Sequence, residues 1–485
     1  MKNLKTVGLF LGPVIFFVVF LFVDFSGNKN AVYTAAVACL MAAWWLSEAI
    51  PIAVTALIPL VLFPLFGILK GSSVAQSYIN STIFLFMGGF IIALAMEKWN
   101  LHKRIALHLI SVFGTKPSKI ILGFMIASAF MSMWISNTAT AIMLLPIGLA
   151  ILYKVEAQFG SDNVKNFAVS LMLGIAYACS VGGIATLIGT PPNLVFKRIY
   201  SITFPDKPEV FFGEWMIFAL PLTIIILPVM WFVLTKIVFK LGHFEIDKEI
   251  INREKEQLGK MSFEEKAILA VSSFAAFLWI FRVDIDLGIF KIPGWSNILP
   301  FPKFIDDSTV AIAMSILLFL IPVKTGGHDD KKILTVKIIR KIPWEIILLF
   351  GGGFALADGF VNSGLSKIVG SMFIGLKEVN IILLILIICL TITFLTELTS
   401  NTATAQIILP ILASIAIQFK IDPMLVMIPA TISASMAFMM PVATPPNAIV
   451  FGSGRIRIPE MAKAGLILNI FGAIVISIYS YFYFS

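Results

Sequence analysis

The sequence predicts an all-α polytopic membrane protein with eleven transmembrane helices, two re-entrant helical hairpins and two inverted repeats. Three observations lead to this fold class. The 485 residues are 59% hydrophobic and only 13% charged, whereas soluble globular domains carry about 25% charged residues. Apolar runs long enough to cross a bilayer, roughly 20 residues each, recur along the chain. The pentapeptide Ser-Asn-Thr-Ala-Thr occurs twice, at 136–140 and 400–404.

The predicted spans follow the apolar runs in chain order. Eight runs are candidate crossings by length and composition: residues 7–23, 31–46, 52–69, 81–96, 211–235, 265–281, 308–323 and 462–484. A ninth crossing contains the glycine-rich stretch 348–354 near its start. The first run lacks a small-residue cleavage site and leads into further spans, so we interpret it as a retained crossing and not as a signal peptide.

Two further crossings, 167–196 and 423–451, are interrupted by the string Thr-Pro-Pro-Asn at 190–193 and 444–447. Proline lacks the backbone N–H and clashes with the preceding turn, so each pair of prolines predicts a break in the helix. The first span then stands alone, and the other ten spans form two repeats of five.

The segments that carry the pentapeptide, 120–150 and 380–418, are predicted to be the re-entrant hairpins. The pentapeptide leaves two apolar arms of roughly 14 residues in the first segment, and such arms are too short for full crossings. Non-helical backbone at membrane depth is tolerated only where protein or a water-filled cavity surrounds it. Both hairpin tips are therefore expected to line a cavity.

The pentapeptides belong to an internal duplication. Three landmarks repeat at an offset of 264 residues: 84–90 with 348–354, Asn137 with Asn401, and Pro146 with Pro410. By Asn193 and Asn447 the offset has fallen to 254. Landmarks that recur in the same order indicate a repeat architecture. The first repeat thus carries about ten extra residues, and we expect them in the polar loop 156–163.

The orientation of the spans follows from their number and from the charges between them. Because each repeat has an odd number of spans, the second is inverted relative to the first. With a cytoplasmic N-terminus, 25 of the 36 Lys and Arg residues fall in cytoplasmic connections, as the positive-inside bias requires. The C-terminus is then external. The mixed-charge stretch 236–262 is predicted to be a cytoplasmic linker helix.

This charge distribution also bears on partners. The net charge of +9 is explained by the cytoplasmic connections, so the predicted surroundings are the lipid bilayer of the plasma (inner) membrane, and no nucleic-acid partner is expected. A membrane-embedded enzyme would need paired carboxylates, a His/Cys cluster or a nucleophile with a base. No such constellation lies near the motifs, so neither enzyme activity nor a catalytic residue is predicted.

The hairpin tips and the broken crossings supply neutral polar groups. The tips offer hydroxyls and amides at 136–138 and 400–402, and each can donate or accept hydrogen bonds. Each proline break frees backbone carbonyls, and the small residues Gly189 and Ala443 precede the two breaks. Carbonyl, hydroxyl and amide oxygens together form a hard, neutral cage that suits Na⁺.

Half-helix N-termini near the breaks present N–H groups and a positive dipole end, which suit a carboxylate or another oxyanion. No Lys or Arg lies in either motif, so an anionic substrate would be held by neutral donors, dipoles and bound cations. The alternative is that the motifs are packing devices only. A helix kink, however, requires neither the Asn nor the duplication.

In these motifs the chain resembles the divalent anion/sodium symporters, the INDY-type sodium–dicarboxylate cotransporters. The matching strings are residues 44–51, both pentapeptides, 189–193 and 441–447. The resemblance implies a homodimer in which a transport domain slides past a scaffold domain as an elevator. It also implies C4-dicarboxylate substrates, Na⁺ as the coupling ion and no organic cofactor.

The resemblance also implies roles for individual residues. A first sodium site would use Ser132, Ser136, Asn137 and the backbone of Gly189. A second would use Thr396, Thr399, Asn401 and the backbone of Ala443. The substrate carboxylates would meet Asn137, Thr138, Asn401, Thr402, Thr444 and Pro445.

Combined with the spans, the resemblance implies a division into domains. The scaffold domain comprises 1–115 and 263–375, the transport domain comprises 116–235 and 376–485, and the linker helix 236–262 lies between the repeats. The expected function is Na⁺-coupled import of succinate, fumarate and malate. A sodium-independent exchanger of dicarboxylates or other divalent anions, such as citrate or sulfate, remains open on the same fold.

One acidic residue has no role in this scheme. Glu397 lies three residues before Ser400 in the second hairpin, and an ionisable residue inside a membrane is a functional candidate by default. It could tune the second sodium site or take a proton. Equally, it could be a structural acid bonded to neighbouring backbone.

Overall fold

The computed structural model describes residues 2–242, 253, 255–286, 291–324, 331–376 and 378–484. The described residues are mostly helical, with one two-stranded antiparallel sheet of β1 (Ile285–Asp286) and β2 (Lys291–Ile292) and an isolated antiparallel bridge between Pro322 and Lys332. In chain order the α-helices are α1 Lys2–Phe22, α2 Lys29–Ser47, α3 Ile52–Thr55, α4 Ile58–Leu65, α5 Gly71–Tyr78, α6 Ser81–Lys98, α7 Leu101–Val112, α8 Pro117–Ser132, α9 Asn137–Phe159, α10 Ser161–Gly183, α11 Pro191–Thr203, α12 Phe212–Phe232, α13 Phe263–Ile280, α14 Asp307–Leu320, α15 Trp344–Asn362, α16 Leu365–Met372, α17 Ile381–Thr396, α18 Asn401–Phe419, α19 Met424–Ser433, α20 Pro445–Phe451 and α21 Ile458–Phe484.

Shorter helical turns complete the architecture. A π-helical turn, Val233–Val238, extends α12, and 3₁₀ turns lie at Trp295–Ile298, Pro302–Phe304, Val336–Lys341 and Ile374–Leu376. The predicted linker helix 236–262 lies partly outside the described residues. Its described part begins with the end of the π-helical turn and closes at Ser262, whose hydroxyl caps α13 in a capping box with Glu265.

The described residues contain nine helices that are long and apolar enough to cross a membrane, and five shorter apolar helices accompany them. This confirms an all-α, multi-pass membrane protein. The predicted count of eleven spans, with two hairpins, stays a prediction because length and composition do not determine which helices cross.

Both segments that carry the pentapeptide consist of two helices joined by four residues. Helices α8 and α9 are separated by 133–136, and α17 and α18 by 397–400. The first pair breaks because Ser136 is the N-cap of α9, where its hydroxyl oxygen accepts a hydrogen bond from the Ala139 N–H at 3.2 Å. The arms are longer than predicted, since α8 has 16 residues and α9 has 23.

The two crossings that carry Thr-Pro-Pro-Asn are broken where the prolines predict. Helix α10 ends at Gly183 and α11 begins at Pro191, while α19 ends at Ser433 and α20 begins at Pro445. Proline suits the first helical position, because the N–H that it lacks would have no partner inside the helix. In each crossing the preceding threonine, Thr190 or Thr444, is the N-cap.

The expectation that the extra residues of the first repeat form a polar loop at 156–163 is wrong. Helix α9 continues to Phe159 and α10 starts at Ser161, so only Gly160, at φ +82°, separates them. Helix α10 has 23 residues, whereas its counterpart α19 has 10. The extra residues therefore lengthen helices, a possibility that the polarity of the stretch concealed.

Candidate functional site

A cavity of about 450 Å³ lies where the two hairpin tips meet the two broken crossings. All six residues predicted to meet the substrate line it: Asn137, Thr138, Asn401, Thr402, Thr444 and Pro445. Ser136, Gly189, Thr399 and Ala443, from the predicted sodium sites, line it as well. Among these ten residues, positions up to 309 apart in the sequence thus converge on one space.

The first half-site comprises the tip 132–138 and the break 184–190. Ser132 is fully buried behind the cavity wall, and its hydroxyl donates a hydrogen bond to Asn137 Oδ1. A Cβ atom placed on Gly183 would lie 2.8 Å from Asn137 Oδ1 and 3.2 Å from the Gly189 carbonyl oxygen. The amide oxygen of the tip and the carbonyl oxygen of the break therefore face the same small volume.

The second half-site comprises the tip 396–402 and the break 434–444. Thr396 occupies the position of Ser132, and its hydroxyl lies 2.7 Å from Asn401 Oδ1 and 2.9 Å from the Ala434 carbonyl oxygen. Thr396 is also fully buried behind the wall. The same contact between a hydroxyl and an amide oxygen is thus present in both repeats.

Thr399 differs from the other predicted sodium ligands. It lines the cavity, but its hydroxyl lies 2.6 Å from the Thr404 hydroxyl and 3.0 Å from the Leu395 carbonyl oxygen. Its side chain is therefore engaged within the tip. In the first predicted sodium site, Ser136 is engaged similarly as the N-cap of α9.

Sequence reasoning missed the role of the asparagine that closes each Thr-Pro-Pro-Asn string. The side-chain amide of Asn193 donates to the carbonyls of Gly183, Ile184 and Thr186 at 2.7–3.4 Å. Asn447 donates to the carbonyls of Ala437 and Met440 at 3.0 and 3.1 Å. Both side chains are fully buried. The duplication of this asparagine was the signal that could have indicated its role, since a proline kink alone needs no asparagine.

Glu397 lies behind the second half-site. Its carboxylate accepts hydrogen bonds from the backbone N–H groups of 438–440 at 2.6–2.9 Å and from the Asn469 amide at 2.7 Å. The side chain is buried. Three of these four donors are backbone N–H groups, and bonding to backbone agrees with the structural interpretation of this acid.

Four helices begin at the cavity. Helices α9, α11, α18 and α20 start at Asn137, Pro191, Asn401 and Pro445, and all four residues line it. A helix N-terminus carries unpaired N–H groups and the positive end of the helix dipole. Four such ends around one cavity favour a ligand with negative charge.

Two charged side chains, Lys5 and Glu48, belong to the described cavity lining. Lys5 Nζ lies 3.2 Å from a Glu48 carboxylate oxygen, and both side chains are about half exposed. The pair therefore sits where the cavity opens to solvent. The cavity wall at the duplicated motifs is neutral.

The sequence pattern of the sodium:sulfate symporter transmembrane region matches residues 4–485. The chain is 42% identical over 485 residues to the sodium-dependent dicarboxylate transporter SdcS of Staphylococcus saprophyticus, and the match covers 99% of this chain and 91% of that protein. SdcS of Staphylococcus aureus (strain NCTC 8325 / PS 47) matches with the same identity and coverage.

Among solved structures, the YdaH transporter of Alcanivorax borkumensis matches with a TM-score of 0.59 at 13% sequence identity, over 87% of this chain and 90% of that one. At this identity the likeness concerns the fold alone. The match along nearly the whole sequence and the 42% identity confirm the resemblance to the divalent anion/sodium symporters, and this chain belongs to the family of the sodium:sulfate symporter transmembrane region.

Proposed function

We propose that this protein is a secondary transporter that couples the import of C4-dicarboxylates, such as succinate, fumarate and malate, to the entry of Na⁺. One observation carries the proposal: both copies of the duplicated motif line a single cavity of about 450 Å³. The name of its relative SdcS, a sodium-dependent dicarboxylate transporter, supports the same substrate and ion.

Each half-site supplies one set of oxygens for a sodium ion. The first set is Ser132, Ser136, Asn137 and the Gly189 carbonyl, and the second is Thr396, Thr399, Asn401 and the Ala443 carbonyl. Neutral oxygen donors suit a hard monovalent cation, which requires no charged ligand. Since Asn137 and Asn401 also line the cavity, a bound ion would lie next to the substrate.

The dicarboxylate would bind between the half-sites, one carboxylate at each tip. Asn137 and Thr138 would bind one end, and Asn401, Thr402, Thr444 and Pro445 the other. Four helix N-termini at the cavity and two sodium ions would offset the two negative charges of the substrate. Two Na⁺ ions make the step electroneutral, whereas a third would add about 2.3 kcal/mol of driving force per 100 mV.

The substrate and sodium ions are proposed to cross the membrane by an elevator mechanism. The transport domain, 116–235 with 376–485, would carry the loaded site past the scaffold domain, 1–115 with 263–375. The protein would act as a homodimer in the plasma (inner) membrane, with a cytoplasmic N-terminus and an external C-terminus. The predicted inverted relation of the two repeats supports such alternating access, because inverted repeats let one fold adopt two mirrored states.

Uptake of labelled succinate into proteoliposomes tests the coupling. We expect accumulation with an inward Na⁺ gradient and none when K⁺ replaces Na⁺. Accumulation without sodium, driven by an internal dicarboxylate, would instead identify the exchanger. Competition by a panel of anions, including citrate and sulfate, defines the preferred substrate.

Two substitutions test the site. Asn137→Ala and Asn401→Ala should each abolish or severely reduce succinate uptake while the protein stays folded and dimeric. Asn163→Ala is the matched control, because that amide is exposed and bonds only the Phe159 carbonyl among the recorded contacts. Wild-type uptake by both site variants would contradict the assignment.

A further inference from the structure

The break in the second crossing contains a non-helical segment, 437–440, in which most of the polar backbone groups have partners. In 437–440, the N–H groups of 438–440 donate to Glu397, and the carbonyls of Ala437 and Met440 accept from Asn447. The Phe438 carbonyl accepts from the Tyr177 hydroxyl. Unpaired backbone groups are costly in a buried or membrane environment. These contacts therefore determine the path of the segment.

Glu397 is the central partner in this arrangement. It accepts three consecutive backbone N–H groups, and it directly follows Thr396, whose hydroxyl contacts Asn401. Three residues beyond Met440 the segment reaches Ala443, which lines the cavity. The Glu397 side chain thus connects the tip, which carries the Thr396 hydroxyl, to the break, which carries the Ala443 carbonyl.

We propose that Glu397 is a positioning residue of the second half-site, and that its hydrogen bonds hold the geometry on which sodium binding there depends. It holds the segment that carries the Ala443 carbonyl against the tip that carries Asn401. It does not touch the substrate. This inference rests on the proposed sodium-coupled transport.

The first half-site provides an internal comparison. At the offset of 264, the counterpart of Glu397 is Met133, which has no charge. There the Thr186 hydroxyl donates to the Met133 carbonyl at 2.6 Å and accepts from the Gly189 N–H at 3.0 Å. Since a carboxylate holds only one of two related breaks, its loss should affect one sodium site and spare the other.

The test compares Glu397→Gln with the wild type in proteoliposomes. The glutamine side chain carries no charge, and its NH₂ group would face backbone N–H groups to which it cannot hydrogen-bond. We expect the Na⁺ concentration for half-maximal succinate uptake to rise about tenfold, while the KM for succinate at saturating Na⁺ changes by less than about threefold. The apparent cooperativity in Na⁺ should also fall, because one site fills later than the other.

Glu265→Gln is the matched control, because this carboxylate is also buried but pairs with Arg104 away from the cavity. Its sodium dependence should equal that of the wild type even if its stability is lower. Asn469→Ala removes a single donor to Glu397 and should shift the sodium dependence in the same direction by a smaller factor. It keeps the inference testable if Glu397→Gln does not fold.

The two proposals fail in different ways. If wild-type uptake does not depend on Na⁺, the proposed function is wrong. If wild-type uptake depends on Na⁺ and both Glu397→Gln and Asn469→Ala retain the wild-type sodium dependence, only the role of Glu397 is overturned. An equal rise in the KM for succinate would also overturn it, because that result indicates a general loss of site structure.

Discussion

In the first half-site, seven residues, 184–190, separate α10 from α11, and neutral groups hold them in place. In the second, eleven residues, 434–444, separate α19 from α20, and the carboxylate of Glu397 holds their middle. The tips opposite these breaks share Ser-Asn-Thr, at 136–138 and 400–402, but differ at the four positions before it. After duplication, the breaks and the residues that hold them diverged, while this tripeptide did not.

The difference lies in how each break approaches its tip. Glycines at 183 and 189 let the first break come close to Asn137, because a Cβ on either residue would meet backbone or amide atoms. The equivalent positions of the second break are Ala437 and Ala443. Steric closeness thus shapes the first half-site, whereas hydrogen bonds to a buried carboxyl group shape the second.

The largest expected effect comes from exchanging glycine and alanine at the equivalent positions Gly189 and Ala443. Gly189→Ala would push a Cβ into the Gly183 carbonyl oxygen, and such overpacking against backbone cannot relax cheaply. We expect succinate uptake to fall about a hundredfold. The mirror change, Ala443→Gly, should retain uptake within about fivefold. Gly375→Ala serves as the control, since a Cβ there meets no atom within 4 Å. Equal losses of succinate uptake in Gly189→Ala and Ala443→Gly would contradict the conclusion that steric closeness shapes only the first half-site.

A smaller effect should follow from removing either of the two buried hydroxyls. The Thr396 hydroxyl has a second acceptor, the Ala434 carbonyl, so its hydrogen can turn away while its oxygen faces a cation. Ser132→Ala and Thr396→Val should each raise the half-saturating Na⁺ concentration about tenfold, the usual worth of a hydrogen-bonding group that contacts a charge. Sodium titration of uptake measures this value. Unchanged titration curves would exclude both hydroxyls from the sodium sites.

The asparagines that follow the two breaks should affect stability more than transport. Asn193 bonds three carbonyls and Asn447 bonds two, but three of these five carbonyls have a second recorded donor. Replacement by Ala therefore removes the only recorded donor of one carbonyl in each case, that of Gly183 or of Ala437, at about 1–3 kcal/mol for each orphaned group. We expect a similar decrease in the melting temperature of both variants. An unchanged melting temperature would contradict this role.

The sequence predicted the tips and the breaks because each depends on local chemistry. Proline at the start of a helix and a duplicated Asn are visible without a structure, and all six predicted substrate residues line the cavity. The partners of Glu397 were not visible, because the donors at 438–440 and 469 are separated from it by 41 to 72 positions. The helical extension through 156–163 was also missed, since polar residues at a helix end resemble a loop.

The smallest expected effect concerns the one lysine among the described cavity residues. Lys5 could appear to be the anion ligand that the neutral half-sites lack. Its side chain, however, is 51% exposed and is paired with Glu48, and exposed ion pairs contribute only about 0–1 kcal/mol because solvent and salt screen them. Lys5→Ala should therefore change the KM for succinate by less than about twofold. Uptake assays at low and high KCl measure this value. A tenfold rise would assign Lys5 to the substrate site, and the dianion would then be held by a cation as well as by the two half-sites.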